Sequence, residues 1–154
     1  MNKKIYGSII IFIGMILVGY TLYKKHQKHY FSCTAHYQVS HDNIYLRAMF
    51  RLVFNGDEGI AMLTGEVKDE QDRHLALNRQ MRFVFSENNS NYILHSVVKI
   101  QESFDEVNDM LLSRLITSFY YEPNATVQYN IVKQSNGDYV VYDGKLPQAY
   151  CHNS

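Results

Sequence analysis

Two hydrophobic patterns divide the chain. From position 5 to position 23 no residue is charged, and Ile9, Ile10, Ile11, Phe12, Ile13, Ile16, Leu17 and Val18 follow one another almost without interruption. These 19 residues, at about 1.5 Å rise each, approach the roughly 30 Å hydrocarbon thickness of a bilayer, which predicts a single transmembrane helix over 5–23. Tyr20 and Tyr23 stand where interfacial aromatics are expected. A cleaved signal peptide is the competing reading. It would end in small residues, whereas this run ends in Tyr23-Lys24-Lys25, so a retained anchor is preferred. The expected organisation is a short tail 1–4, the helix 5–23, a basic juxtamembrane linker 24–30 and a folded domain 31–154.

Beyond residue 30 the period falls to two. Phe31, Cys33, Ala35, Tyr37 and Val39 alternate with polar neighbours, and Ile44, Leu46, Ala48, Phe50, Leu52 and Phe54 do so more regularly. Asn55-Gly56-Asp57-Glu58-Gly59 reads as a hairpin loop. Further strands are predicted at 60–68, 74–85 and 92–100, with Arg79 breaking the apolar face of the second of these. The period then changes. Ser103-Phe104-Asp105-Glu106 is a capping box, and Phe104, Val107, Leu111 and Leu115 follow at helical spacing. A short strand at 117–121, a hairpin of 125–134 and 139–142 joined through Asn136-Gly137, and a tail at 146–154 complete the pattern. The class this predicts is α+β: an N-terminal transmembrane helix, then an antiparallel sheet, curled or a partial barrel, packed on one helix.

Charge sharpens the division. The formal net charge is zero, but every Asp and Glu lies after residue 30, while Lys3, Lys4, Lys24, Lys25 and Lys28 lie before it. Removing those five from the 15 basic residues leaves 10 against 15 acidic ones, so the folded part carries about five net negative charges. That sign is poorly suited to a phosphate backbone, and no direct nucleic-acid partner is expected. The lysines flanking the apolar run leave its orientation open. The two cysteines, Cys33 and Cys151, bracket the domain and suggest a disulfide staple, with two free thiols as the alternative.

Candidate chemistry is sparse. No phosphate-binding glycine loop, nucleophile elbow or zinc signature is present, so no catalytic residue, metal or cofactor is predicted. His36, His41, His74 and His95 are candidate pH sensors, weighed against ordinary surface histidines. His26 and His29 have metal-like spacing but sit among lysines. Tyr45, Arg47, Met49 and Arg51 share one side of a strand and form a candidate partner or ligand face, against a plain solvated face. The tyrosines, among them Tyr37, Tyr92, Tyr120, Tyr121, Tyr129, Tyr139 and Tyr142, suit either an interface or a small core with wet edges.

Phe31-Ser32-Cys33-Thr34-Ala35, Leu46-Arg47-Ala48, Phe54-Asn55-Gly56-Asp57-Glu58-Gly59, Gly65-Glu66-Val67, Leu77-Asn78-Arg79 and a terminal Cys151 occur in this order. In that order the chain resembles the FidL-like membrane proteins of enterobacteria, which are similar to MyfF and PsaF and to the ToxS-like partners of ToxR- or CadC-type regulators. The resemblance implies an inner-membrane protein with its C-terminal domain in the periplasm. It also implies a heterodimer with a membrane-bound winged-helix transcription regulator in virulence or fimbrial gene control. The function expected on that basis is a non-enzymatic co-regulator responsive to pH or to a small amphiphilic ligand. The alternative is a membrane-tethered assembly factor or chaperone for fimbrial or envelope proteins.

Overall fold

The computed structural model describes residues 2–153, with the side chains of residues 2–8, 10 and 24–29 outside the description. Helix α1 (Asn2–His29) runs without a break into strand β1 (Tyr30–His41). Ile9 and residues 11–23 of the helix are exposed. Among the described residues no helix is long and apolar enough to cross a membrane. That corrects the expected single-pass anchor at 5–23 and the inner-membrane, periplasm-facing location drawn from it. The lysines of the N-terminal segment, and His26 and His29, have side chains outside the described residues.

After β1 come β2 (Ile44–Asn55), β3 (Glu58–Lys68), β4 (His74–Asn88), β5 (Asn91–Gln101), β6 (Thr126–Lys133), β7 (Tyr139–Asp143) and β8 (Leu146–Asn153). Each pairs antiparallel with the next, and β8 pairs back onto β1, so the sheet is a closed eight-stranded barrel. This corrects the α+β expectation, and two local facts explain the change. The tail expected at 146–154 is a strand, and it supplies the pairing that closes the sheet. The helix expected from the capping box shrinks to the single turn α2 (Asp109–Leu112), capped by Asn108, whose side chain accepts from the Leu111 N–H. Asp105 and Glu106 are engaged elsewhere. Asp105 faces Arg79, and Glu106 pairs with Ala76 through both its backbone N–H and its carboxylate. The segment expected as a strand at 117–121 is a 3₁₀ turn, Ser118–Tyr120.

The hairpins follow from their turn residues. Asp42 and Asn43, and again Asn89 and Ser90, take positive φ at both central positions, which matches the twist of the flanking strands. Gly65 lies where a Cβ would come within 2.2 Å of the Arg47 carbonyl oxygen, so only glycine allows β3 to approach β2 there. In β5 the register slips against β4 between Arg82 and Phe83, leaving Val97 as the extra residue of a bulge.

Inward positions form one core. Phe31 stacks on Phe54 at 4.4 Å and on Tyr139 at 4.6 Å, and Phe83, Phe85 and Tyr92 pack around Phe54. These rings fill one end of the barrel. The long connection from β5 to β6, carrying α2 and the 3₁₀ turn, covers the other and inserts Val107, Leu112, Leu115 and Phe119 as buried side chains. Arg79 fastens that cap. Its side chain is 1 % exposed, with Nε 3.1 Å from Asp105 Oδ2 and Nη1 2.6 Å from Asp109 Oδ1. Nη2 also donates to the Val107 carbonyl. The residue that breaks the apolar face of β4 is therefore the tie between barrel wall and cap.

Candidate functional site: a cavity in the barrel seam

The closing ladder is short. Between β1 and β8 only Cys33↔Asn153 and Thr34↔His152 are in register. At the head of this seam Cys33 and Cys151 form a disulfide, their Cα atoms 5.0 Å apart and 118 residues apart in sequence. The staple expected from the two cysteines is therefore present. Beyond it β1 remains paired with β2, and β8 with β7, while the ladder between β1 and β8 stops.

A cavity of about 300 Å³ occupies this wedge, between the seam, the barrel wall and the cap. Phe50, Leu63, Leu115 and Val141 supply an apolar floor. Tyr37 on β1, Tyr120 from the cap and Tyr129 on β6 supply an aromatic wall. Ser113, Thr117, Asp143 and Gln148 form a polar rim. Such a size and such a lining, mostly apolar with a few placed polar groups, are those of a small-molecule site.

The wall contains a buried polar pair. The hydroxyls of Tyr120 and Tyr129 lie 2.9 Å apart. Burial raises the Tyr120 phenol well above its ordinary value, and its neighbours Tyr129, Tyr37 and Asp143 add to the rise. Burial likewise pushes Tyr129 up to about 12, against the lowering effect of its bond to Tyr120, with Asp143 and Tyr37 adding to the rise. Burial also raises Tyr37. All three phenols are thus neutral across the physiological range, able to donate or accept one hydrogen bond but unsuited to act as bases. The Asp143 carboxylate acts on both buried phenols, so its negative field reaches into the cavity.

Residues 30–151 match the family described as the YqeJ C-terminal domain. The chain belongs to this family. The match begins with the first residue of β1 and ends at Cys151, so it covers all eight strands except the last two residues of β8. The chain is also 26 % identical over 154 residues to the uncharacterized protein YqeJ of Escherichia coli (strain K12), covering 97 % of this chain and 96 % of that protein. No solved structure matches it. Membership of the YqeJ family corrects the resemblance to FidL-like proteins. The motifs behind that resemblance are a two-residue hairpin turn at Gly56-Asp57 and buried strand positions such as Leu46, Val67 and Leu77. Many antiparallel meanders need such residues at such places.

In this YqeJ C-terminal domain Tyr37, Tyr120 and Tyr129 line the cavity, while the candidate partner face on β2 and the four histidines lie away from it. Tyr45, Arg47, Met49 and Arg51 do share one face of β2, as alternation requires, and it is the outer face. Arg47 and Met49 border a shallow surface groove with His36, Gln38, Thr64 and Glu66. The four histidines are dispersed. His41 contacts Asp42 at 3.0 Å, His74 contacts Glu66 at 3.2 Å, and His95 contacts Thr126 at 3.0 Å, while His36 is exposed on the outer face of β1. Among the described residues no group of three or more His, Cys, Asp or Glu side chains is placed to hold a metal ion. The cavity residues that sequence reasoning missed are Ser113, Thr117, Asp143 and Gln148. The local signal for them was weak: the run Gln148, Ala149, Tyr150 and Cys151, beside Pro147, is too short to mark the tail as a strand.

Proposed function

We propose that this chain is a binding module whose barrel holds a small, mainly apolar ligand in the seam cavity. The observation that carries the reading is the wedge: two strands joined at one end by a disulfide part beside a built cavity. Barrel mouths are a preferred place for such sites. The lining also favours binding over turnover. It contains no His, Lys, Arg or Cys among the described residues, and its phenols are held neutral. Docking onto a membrane-bound regulator rested on the FidL resemblance and loses its support with it.

The test is titration of the purified chain with the uncharged fluorescent dye phenylnaphthylamine. The expected result is saturable one-site binding, lost in Ala149→Phe, which places a ring in the cavity, while the thermal melt of that variant stays within a few degrees of the parent. Absence of saturable binding, or binding that survives in a folded Ala149→Phe protein, overturns the proposal.

A further inference from the structure

We propose that the ligand of the seam cavity is a small organic cation, an alkyl or aryl amine whose apolar body sits on the floor and whose ammonium group lies at the rim against Asp143. The inference rests on the cavity being a ligand site and adds the charge of what enters it. Asp143 is exposed at the end of β7 and makes no ion pair among the described residues, so its carboxylate is available to a ligand. Among the described residues no cationic side chain lines the cavity to offset that charge. A fatty acid or other anionic amphiphile entering here would bring its carboxylate toward another carboxylate, with no Arg or Lys to receive it.

The wall reinforces the same sign. Tyr37, Tyr120 and Tyr129 present aromatic rings and hydroxyl oxygens around one space. Ring faces attract cations, and neutral hydroxyl oxygens accept hydrogen bonds from an ammonium group. Gln148 and Thr117 contribute further oxygen acceptors at the rim. Asp143 itself lines the cavity with these three tyrosines, so its charge stands at the cavity and not only at the surface. The net negative charge of the folded part, noted above from the sequence, favours the approach of a cation over that of an anion.

Calorimetric titration of the full chain with octylamine, octanol and octanoate at neutral pH separates the possibilities, because the three share one apolar body. The expected order is amine, then alcohol, then carboxylate, with the amine about five- to tenfold tighter than the alcohol. Asp143→Asn should remove most of the advantage of octylamine over octanol and leave octanol unchanged. Equal binding of all three probes, or tightest binding of octanoate, overturns the cation inference and leaves the cavity reading standing. An amine advantage undiminished in Asp143→Asn also overturns it. Failure of all three probes to bind overturns both.

Discussion

Replacing Arg79 by Met tests whether the cap is held to the barrel by charge. Arg79 is 1 % exposed and the Asp105 side chain 0 %, so this ion pair lies wholly inside the protein. Asp109, 42 % exposed, has a second partner in Lys99 at 2.6 Å. Losing Arg79 therefore leaves Asp109 partnered and wet but leaves Asp105 as a buried carboxylate facing apolar neighbours. A buried pair broken on one side costs about 3–5 kcal/mol, and for a domain of this size that lowers the melting temperature by roughly 15 °C. Asp109→Asn, which removes a half-exposed charge, should cost less than about 1 kcal/mol. The double variant Arg79→Met/Asp105→Asn removes both charges and keeps an amide oxygen to accept from the Val107 N–H, as the Asp105 carboxylate does at 3.0 Å. It should recover most of the loss. Urea denaturation followed by tyrosine fluorescence, on the parent, Arg79→Met, Asp105→Asn and the double variant, gives the coupling energy directly. The reasoning is refuted if Arg79→Met costs less than about 1 kcal/mol, or if the double variant is no more stable than Arg79→Met alone.

Two further perturbations act on the seam. The Cys33→Ser/Cys151→Ser variant opens a loop of 118 residues, and should lose about 4–5 kcal/mol in urea denaturation together with affinity for phenylnaphthylamine; a midpoint equal to that of the parent counts against the staple. Asp138 accepts from the Asn153 N–H and the Tyr150 hydroxyl and contacts His152, so it pins the end of β8 that pairs with β1. The Asn153 N–H lowers its carboxyl most, partial burial works the other way, and Tyr150 and His152 lower it further, leaving it below the usual carboxylate range. A folded pKa below the unfolded one stabilises fully above about pH 4 and ceases to do so as pH falls through the folded value. The melting-temperature gap between parent and Asp138→Asn should therefore be constant from neutral pH to about pH 5 and shrink below about pH 4. A gap that widens on acidification contradicts the assignment.

Local signals located much of the barrel wall. Alternation places a strand at 44–54 and the structure runs it over Ile44–Asn55, because one face is buried and the other wet along its whole length. Closure left almost no local mark. It depends on two register pairs and one covalent bond between residues at opposite ends of the domain, and β8, with Pro147, Gln148 and His152, has too few apolar positions to announce a strand. The capping box misled for the opposite reason: its local signal was strong and a tertiary one was stronger. A guanidinium on the inward face of β4 cannot be left unpaired, and satisfying it takes Asp105 out of the helix its neighbours would favour. An isolated Arg on an otherwise apolar strand face is itself a sequence signal, since it demands a carboxylate from some other element.

The same reasoning explains why the site was harder to read than the fold. The cavity draws its lining from β1, β2, β3, β6, β7, β8 and the cap, so no one stretch of sequence carries a motif for it. Tyr120 and Tyr129 are legible only as aromatic residues. Their meaning lies in the 2.9 Å between their hydroxyls, which bridges cap and wall and exists only once β6 has been brought under the 3₁₀ turn. Arg47 and Arg51 drew attention because charge on a strand is conspicuous, yet the outer face of a closed barrel is where such charge is least costly to place. Asp143 drew none, because a carboxylate before Gly144 reads as an ordinary turn residue. What distinguishes it is position: it ends β7 where the ladder between β1 and β8 has already stopped, so a turn residue becomes the charged lip of a cavity.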